Sequence, residues 1–176
     1  LKREHRKEPP VMEEILRFFV GLWKYAKGER FSGLLRVLTK SGKITKAQAN
    51  KAKKKAQGRG VFVGEILVET GLISKPDILR ILAKEAGSMP HLKHDQGITV
   101  EKIQDIKKDL SQKELEKLLQ NGLLPVYKRG QLIVIATADP SDRTAIRKVR
   151  SAIPRIELVW CDWSLLAQIM DLYQGS

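Results

Sequence analysis

The chain has 176 residues and a mass of 19.9 kDa, with 42% hydrophobic and 30% charged residues. That suits one medium domain or two small ones with a sizeable core, and it excludes wholesale disorder and fibrous repeats. One cysteine, Cys161, excludes an internal disulfide and a multi-cysteine metal site, and the longest apolar stretch, Phe18 to Trp23, is far too short to span a bilayer. Net charge is +13 and uneven: residues 1–99 carry 21 Lys+Arg against 10 Asp+Glu, residues 100–176 carry 12 against 10.

Residues 1–30 read as a charged lead-in, LKREHRKEPP, and an amphipathic helix. Val11, Ile15, Phe18, Phe19, Leu22 and Ala26 recur at helical spacing, Glu13, Glu14, Arg17 and Lys24 fall on the other side, and Trp23 and Tyr25 widen the apolar stripe. Such a helix packs on its own domain, docks on a partner or lies on a membrane surface.

Residues 31–86 contain a duplication. A shift of 29 residues superposes Leu34 on Val63, Leu38 on Leu67, Gly42 on Gly71, Ile44 on Ile73, Thr45 on Ser74, Ala49 on Ile78 and Ala52 on Ile81. Each copy reads as helix, glycine stop, capped restart and second helix, so four short helices form a small bundle. Between Lys40 and Arg59 lie eight basic residues and no acid. A field of this kind attracts nucleic acid, anionic lipid or an acidic protein, and a solvated lysine-rich helix face has the same composition.

Residues 87–99, including GSMPHLKHDQG, read as a linker. Residues 100–176 then predict helices over 100–108 and 112–120, the second capped by Ser111 with Glu114 in a capping box. Leu123–Lys128 and Gln131–Ala136 flank Arg129-Gly130 as a hairpin. Ser141 or Asp142 starts a helix over 143–152, residues 155–161 form a third strand, and 163–173 a last helix. The fold class is α+β: an N-terminal helical bundle of two helix-turn-helix repeats, followed by a small α/β sandwich with about three strands.

No catalytic set emerges. His91, His94 and Asp95 share the linker and read as surface groups, Cys161 follows a strand and reads as a buried thiol, and Asp139 and Asp142 suit capping and turn formation. Of Trp160 and Trp163, at least one is expected to pack internally.

The run Val63-Gly-Glu-Ile-Leu-Val-Glu-Thr-Gly-Leu-Ile-Ser74, followed by a helix, resembles the N-terminal domain of type II secretion and type IV pilus assembly ATPases, including the MshE-type N-terminal domains. Leu124-Pro-Val-Tyr, a basic-Gly turn, Leu132-Ile-Val-Ile-Ala and Ala138-Asp-Pro-Ser-Asp142 are similar to that family's second N-terminal subdomain. The resemblance implies a docking and regulatory region for a hexameric motor, held against cytoplasmic parts of the inner-membrane platform. It also implies a motor ATPase domain in cis or in trans, and a cytoplasmic location peripheral to the inner membrane. No G-x-x-x-x-G-K-[ST] occurs, and Gly42-Lys43-Ile44-Thr45 lacks the earlier glycine and the adjacent hydroxyl residue of a phosphate loop.

Some members bind cyclic di-GMP through two copies of the repeat, each beginning Arg/Asn-Leu-Gly and ending near a glutamine. The matching positions here are Leu34, Leu38, Gly42 and Gln57 in the first copy and Val63, Gly64, Leu67 and Gly71 in the second. Leu35 replaces a glycine, Glu85 stands in place of a glutamine and Gln57 is one place beyond the expected site. The apolar framework persists while the polar readers have changed. The sequence therefore reads as a non-enzymatic docking module without a cofactor, with Phe19, Trp23, Lys51, Lys53, Lys54, Lys55 and Arg59 as partner-binding residues. The alternatives are a cyclic di-GMP receptor of the same fold and a nucleic-acid-binding protein using the basic segment, the latter disfavoured because that segment lacks interleaved aromatics.

Overall fold

The computed structural model describes residues 32–93 and 97–174. The expected helix over residues 11–27, with Phe19 and Trp23, and the linker residues His94 and Asp95 lie outside the described residues. The duplicated half contains α1 (Ser32–Lys40), α2 (Lys46–Arg59), α3 (Val63–Glu69) and α4 (Lys75–Ala86). The repeat is visible in individual hydrogen bonds. After α1 the Leu38 carbonyl accepts from the N–H groups of Lys43 and Ile44 at 3.0 and 3.5 Å; after α3 the Leu67 carbonyl accepts from Leu72 and Ile73 at 3.0 and 3.3 Å. Both turns require a left-handed residue, supplied by Gly42 at φ 70° and Gly71 at φ 65°. Each restart is capped: Thr45 forms a capping box with Gln48, and Ser74 accepts from the Asp77 N–H. Leu34, Leu38, Leu67, Ile78 and Leu82 are fully buried. The buried face of α2 is Ala49, Ala52 and Ala56, small side chains that let α3 come close.

The second half runs α5 (Val100–Asp109), α6 (Gln112–Gln120), β1 (Leu123–Arg129), β2 (Leu132–Thr137), α7 (Arg143–Ala152), β3 (Ile156–Trp160) and α8 (Trp163–Gln174). The sheet order is β1-β2-β3. β1 and β2 form an antiparallel hairpin pairing Arg129 with Leu132 across a turn that contains Gly130 at φ 59°. β2 and β3 are parallel, with α7 as the crossover helix. Residues 133–137 of the central strand are all buried, as a strand covered on both faces must be. The hairpin register shifts between Pro125 and Tyr127, and the Tyr173 hydroxyl donates to the Pro125 carbonyl at 2.5 Å.

The segment read as linker adds to the sheet. Trp160 N–H donates to the Pro90 carbonyl and Leu92 N–H to the Trp160 carbonyl, both at 2.9 Å, forming a parallel bridge at the end of β3. His91 stacks on Trp160 with ring centroids 4.1 Å apart. Trp160 and Trp163 are each only 7% exposed, so both pack internally.

The two halves meet at several places, among them Arg143 of α7, which donates to the Glu85 carbonyl at 2.5 Å, and two larger contacts. At the first, the buried carboxylate of Asp139 accepts from the Leu34 N–H in the first turn of α1 at 3.1 Å, and from Ser141 through both its N–H and its hydroxyl. A Cβ on Gly33 would sit 2.5 Å from Ser141 Oγ and 2.7 Å from Asp142 N, so only glycine allows this approach. Arg36 donates to the Ser141 carbonyl at 3.1 Å. At the second, Phe62 packs on Trp163 at 5.1 Å and Lys75 pairs with Asp162 at 2.8 Å.

Two stability measurements follow. Gly71→Val places a β-branched residue at positive φ and is expected to lose more than about 1 kcal/mol in thermal unfolding; an unchanged midpoint would contradict the turn. Burial pushes the Asp139 pKa up from 3.8 to about 6, against the hydrogen bonds it accepts. Between those values the native state holds more protons than the unfolded chain, so this group's stabilisation is complete below pH 4 and is lost as pH rises through 6. Relative to Asp139→Asn, the wild-type chain is expected to lose on the order of 3 kcal/mol between pH 4 and pH 7 in denaturant titrations. A pH-independent difference would show that Asp139 is solvated.

Candidate functional site

α2 has a buried alanine face and two basic faces. Lys51, Lys54 and Lys55 are exposed on the outer one, at spacings of three and four that set like charges side by side. Each such pair disfavours an isolated helix by a few tenths of a kcal/mol. The first turn of α2 has no acid and begins with Lys46, the wrong sign for the positive end of the helix dipole. Lys55 lies near enough to Glu69 to help lower its pKa, while α2 is sustained mainly by its capping box and its packing on α3.

The second basic face turns toward α1. Between α1 and α2 lies an open groove of about 550 Å³. Leu35 and Ala49 form its floor, and Arg36, Lys40, Lys46 and Lys53 surround it, with no carboxylate in the lining. Lys40, Lys46 and Lys53 form no ion pair among the described residues; Arg36 holds the Ser141 carbonyl. Arg59, at the end of α2, is paired with Glu69, which raises its pKa through that hydrogen bond and charge. A concave cationic surface with an apolar floor can hold an anionic ligand or an acidic, amphipathic segment of protein.

The residues matched to the nucleotide repeat lie elsewhere. Leu34, Leu38, Val63 and Leu67 are core side chains, and Gly64 is buried where the Phe62 ring would meet any Cβ at 2.5 Å. Gly42 and Gly71 are exposed turn residues, and Gln57 is half-buried on α2. Lys51, Lys53, Lys54, Lys55 and Arg59 do share one helix, with Lys53 facing the groove. Sequence reasoning missed Arg36, Lys40 and Lys46 as groove residues. Lys46 was within the counted basic run, but only the crossing of α1 and α2 aligns it with Arg36.

The polar groups with catalytic potential are otherwise engaged. Asp142 caps α7 through the Ala145 N–H at 3.0 Å, and Asp139 joins the two halves. Burial pushes the Cys161 thiol far up, out of the thiolate range. Among the described residues no group of three His, Cys, Asp or Glu side chains could hold a metal ion, and no helix is long and apolar enough to cross a membrane.

A second basic surface appears on α7, whose exposed Arg143, Arg147, Lys148 and Arg150 face no acid on that helix. Lys148 lines a shallow cleft of about 420 Å³ with Lys113, Glu116 and Lys117 of α6. The near-neutral total of residues 100–176 concealed this concentration.

Residues 98–176, the α/β half, match the MshEN domain family. The chain is 26% identical over 110 residues to the type IV pilus assembly ATPase PilB of Myxococcus xanthus (strain DK1622), a stretch covering 62% of this chain and 18% of PilB. The chain thus spans under a fifth of that relative's length. A solved structure of MshE with cyclic di-GMP aligns with 80% of this chain and 97% of its own, at 22% identity and a TM-score of 0.45. The chain is similar to the N-terminal domain of type II secretion and type IV pilus ATPases, and the family match falls on α5 to α8.

Proposed function

We propose that this MshEN-like chain is a non-catalytic docking and regulatory module of a secretion or pilus assembly ATPase, binding an acidic cytoplasmic part of the inner-membrane platform. The observation that carries the reading is the carboxylate-free groove and outer lysine face of the first repeat. Exposed charges of one sign steer an acidic partner, raising its association rate more than its final affinity. Phe19 and Trp23 of the N-terminal segment serve as aromatic anchors for the same partner. Truncating such an anchor commonly costs about 2 kcal/mol or more of binding. A motor domain, joined to this chain or separate, receives the docked state, and the location is cytoplasmic at the face of the inner membrane.

Capture of the platform protein's cytoplasmic domain tests this directly. Joint replacement of Lys51, Lys54 and Lys55 by glutamate is expected to weaken capture about tenfold or more, mainly through slower association, with thermal stability unchanged. Trp23→Ala is expected to lose capture with the fold intact. Full capture by both variants would refute docking through this surface, and unfolding of Trp23→Ala would place the indole in the core.

Cyclic di-GMP, which MshE binds, is the second ligand to test. Five of the eight matched repeat positions are buried side chains or a buried glycine, and Glu85 would oppose a phosphate. Titration calorimetry with the purified chain is expected to give weak or no saturable heat. A submicromolar dissociation constant would replace docking with nucleotide sensing as the primary role.

A further inference from the structure

The duplication gives both repeats the same surface, but among the described residues only the second repeat's copy is covered. The groove residues Leu35, Lys46, Ala49 and Lys53 correspond, 29 positions on, to Gly64, Lys75, Ile78 and Leu82. On the second repeat that surface receives the start of α8. Lys75 Nζ lies 2.8 Å from Asp162 Oδ2, donates to Ser164 Oγ at 3.0 Å and sits 4.9 Å from the centre of the Trp163 ring. A Cβ on Gly64 would be 3.5 Å from the Trp163 ring, and Ile78 and Leu82 are fully buried. Asp162 accepts from the Ser164 N–H at 2.8 Å, so the carboxylate that meets Lys75 also caps its own helix. Burial works to raise the Asp162 pKa, yet the hydrogen bonds from Lys75 and Ser164 and the lysine charge hold it below the ordinary carboxylate range.

On the first repeat the equivalent lysine, Lys46, is exposed and makes no ion pair among the described residues. Ala49 and Lys53 replace the two large apolar side chains, which leaves the groove open and adds a cation to its wall. Its four basic side chains complement a carboxylate, and its apolar floor offers a seat for a ring.

We infer that the α1–α2 groove receives a segment of the partner protein in which a helix-capping carboxylate is followed directly by an aromatic side chain, placed as Asp162-Trp163 is on the second repeat. The inference rests on the docking reading and specifies the chemistry of the docked segment. Lys46 takes the carboxylate, as Lys75 does in the internal contact, and its ammonium covers the ring face. Arg36, Lys40 and Lys53 accept further acidic residues along the segment.

The probe is a fluorescein-labelled peptide reproducing residues 160–174 with Cys161→Ser, titrated with the full chain and followed by anisotropy. Saturable binding is expected, weakened about tenfold by Lys46→Glu in the chain and equally by Asp162→Asn in the peptide. Glutamate at position 46 suits the N-terminus of α2, so the fold is expected to persist. Lys113→Glu, on α6, is expected to leave the affinity unchanged. Absence of saturation, equal binding by Lys46→Glu, or displacement of the peptide by cyclic di-GMP or by a single-stranded oligonucleotide would overturn the inference. Capture of the platform domain by wild type and Lys46→Glu alike would overturn it while leaving docking intact. Specific peptide binding by a chain that captures no platform domain would support the groove chemistry and reject the platform as its source.

Discussion

The buried carboxylate of Asp139 ties the first turn of the duplicated half to the end of the central strand. It accepts the Leu34 N–H, one of the amides that a helix leaves unpaired at its start, and it also closes its own turn through Ser141. The contact needs three things together: a helix beginning at residue 32, a glycine at 33 that admits the Ser141–Asp142 backbone, and a strand ending at Thr137. Loss of the carboxylate would leave buried donors unpaired, at about 1–3 kcal/mol for each. Surface salt bridges such as Arg80 with Asp77 are exposed and screened by solvent. The relative placement of the two halves therefore depends on this buried polar contact and on the Phe62–Trp163 packing, more than on surface charge.

Once that placement is set, the two repeats have different roles. The second is committed inward, with Lys75, Gly64 and Phe62 engaged by the start of α8. The first touches the α/β half mainly through the N-terminal end of α1, so the α1–α2 face is uncovered among the described residues. Duplication supplies one framework twice, and substitution at a few equivalent positions divides it. Large apolar side chains at 78 and 82 suit a covered surface, while alanine and lysine at 49 and 53 suit an open one. The same division explains why the backbone hydrogen bonds of the two turns agree so closely while their outer surfaces differ in charge.

Local chemistry was legible residue by residue. Glycines 42 and 71, the Thr45 and Ser74 caps, the Ser111–Glu114 box and the Arg129-Gly130 turn each rest on interactions within a few positions, and each forms as its sequence predicts. The run over residues 90–92 was illegible as a strand because its pairing partner is Trp160, far away in sequence, and a single bridge leaves no periodic pattern. Asp139 was legible as a turn residue but not as a cap on α1, since the amide it satisfies lies 105 positions earlier. The basic run was plain as composition, whereas its split into an outer face and a groove required the crossing of α1 and α2.

The sequence by itself determined the elements, their order, the duplication and the likeness to the N-terminal domain of secretion and pilus ATPases, because propensity, capping and periodicity act over one to four residues. Only the tertiary structure decided which copy of the repeat is buried and which is open. That choice depends on where the start of α8 lands, on the fit of Trp163 beside Gly64 and of Ser141 against Gly33, and such close approach between distant segments is a property of packing.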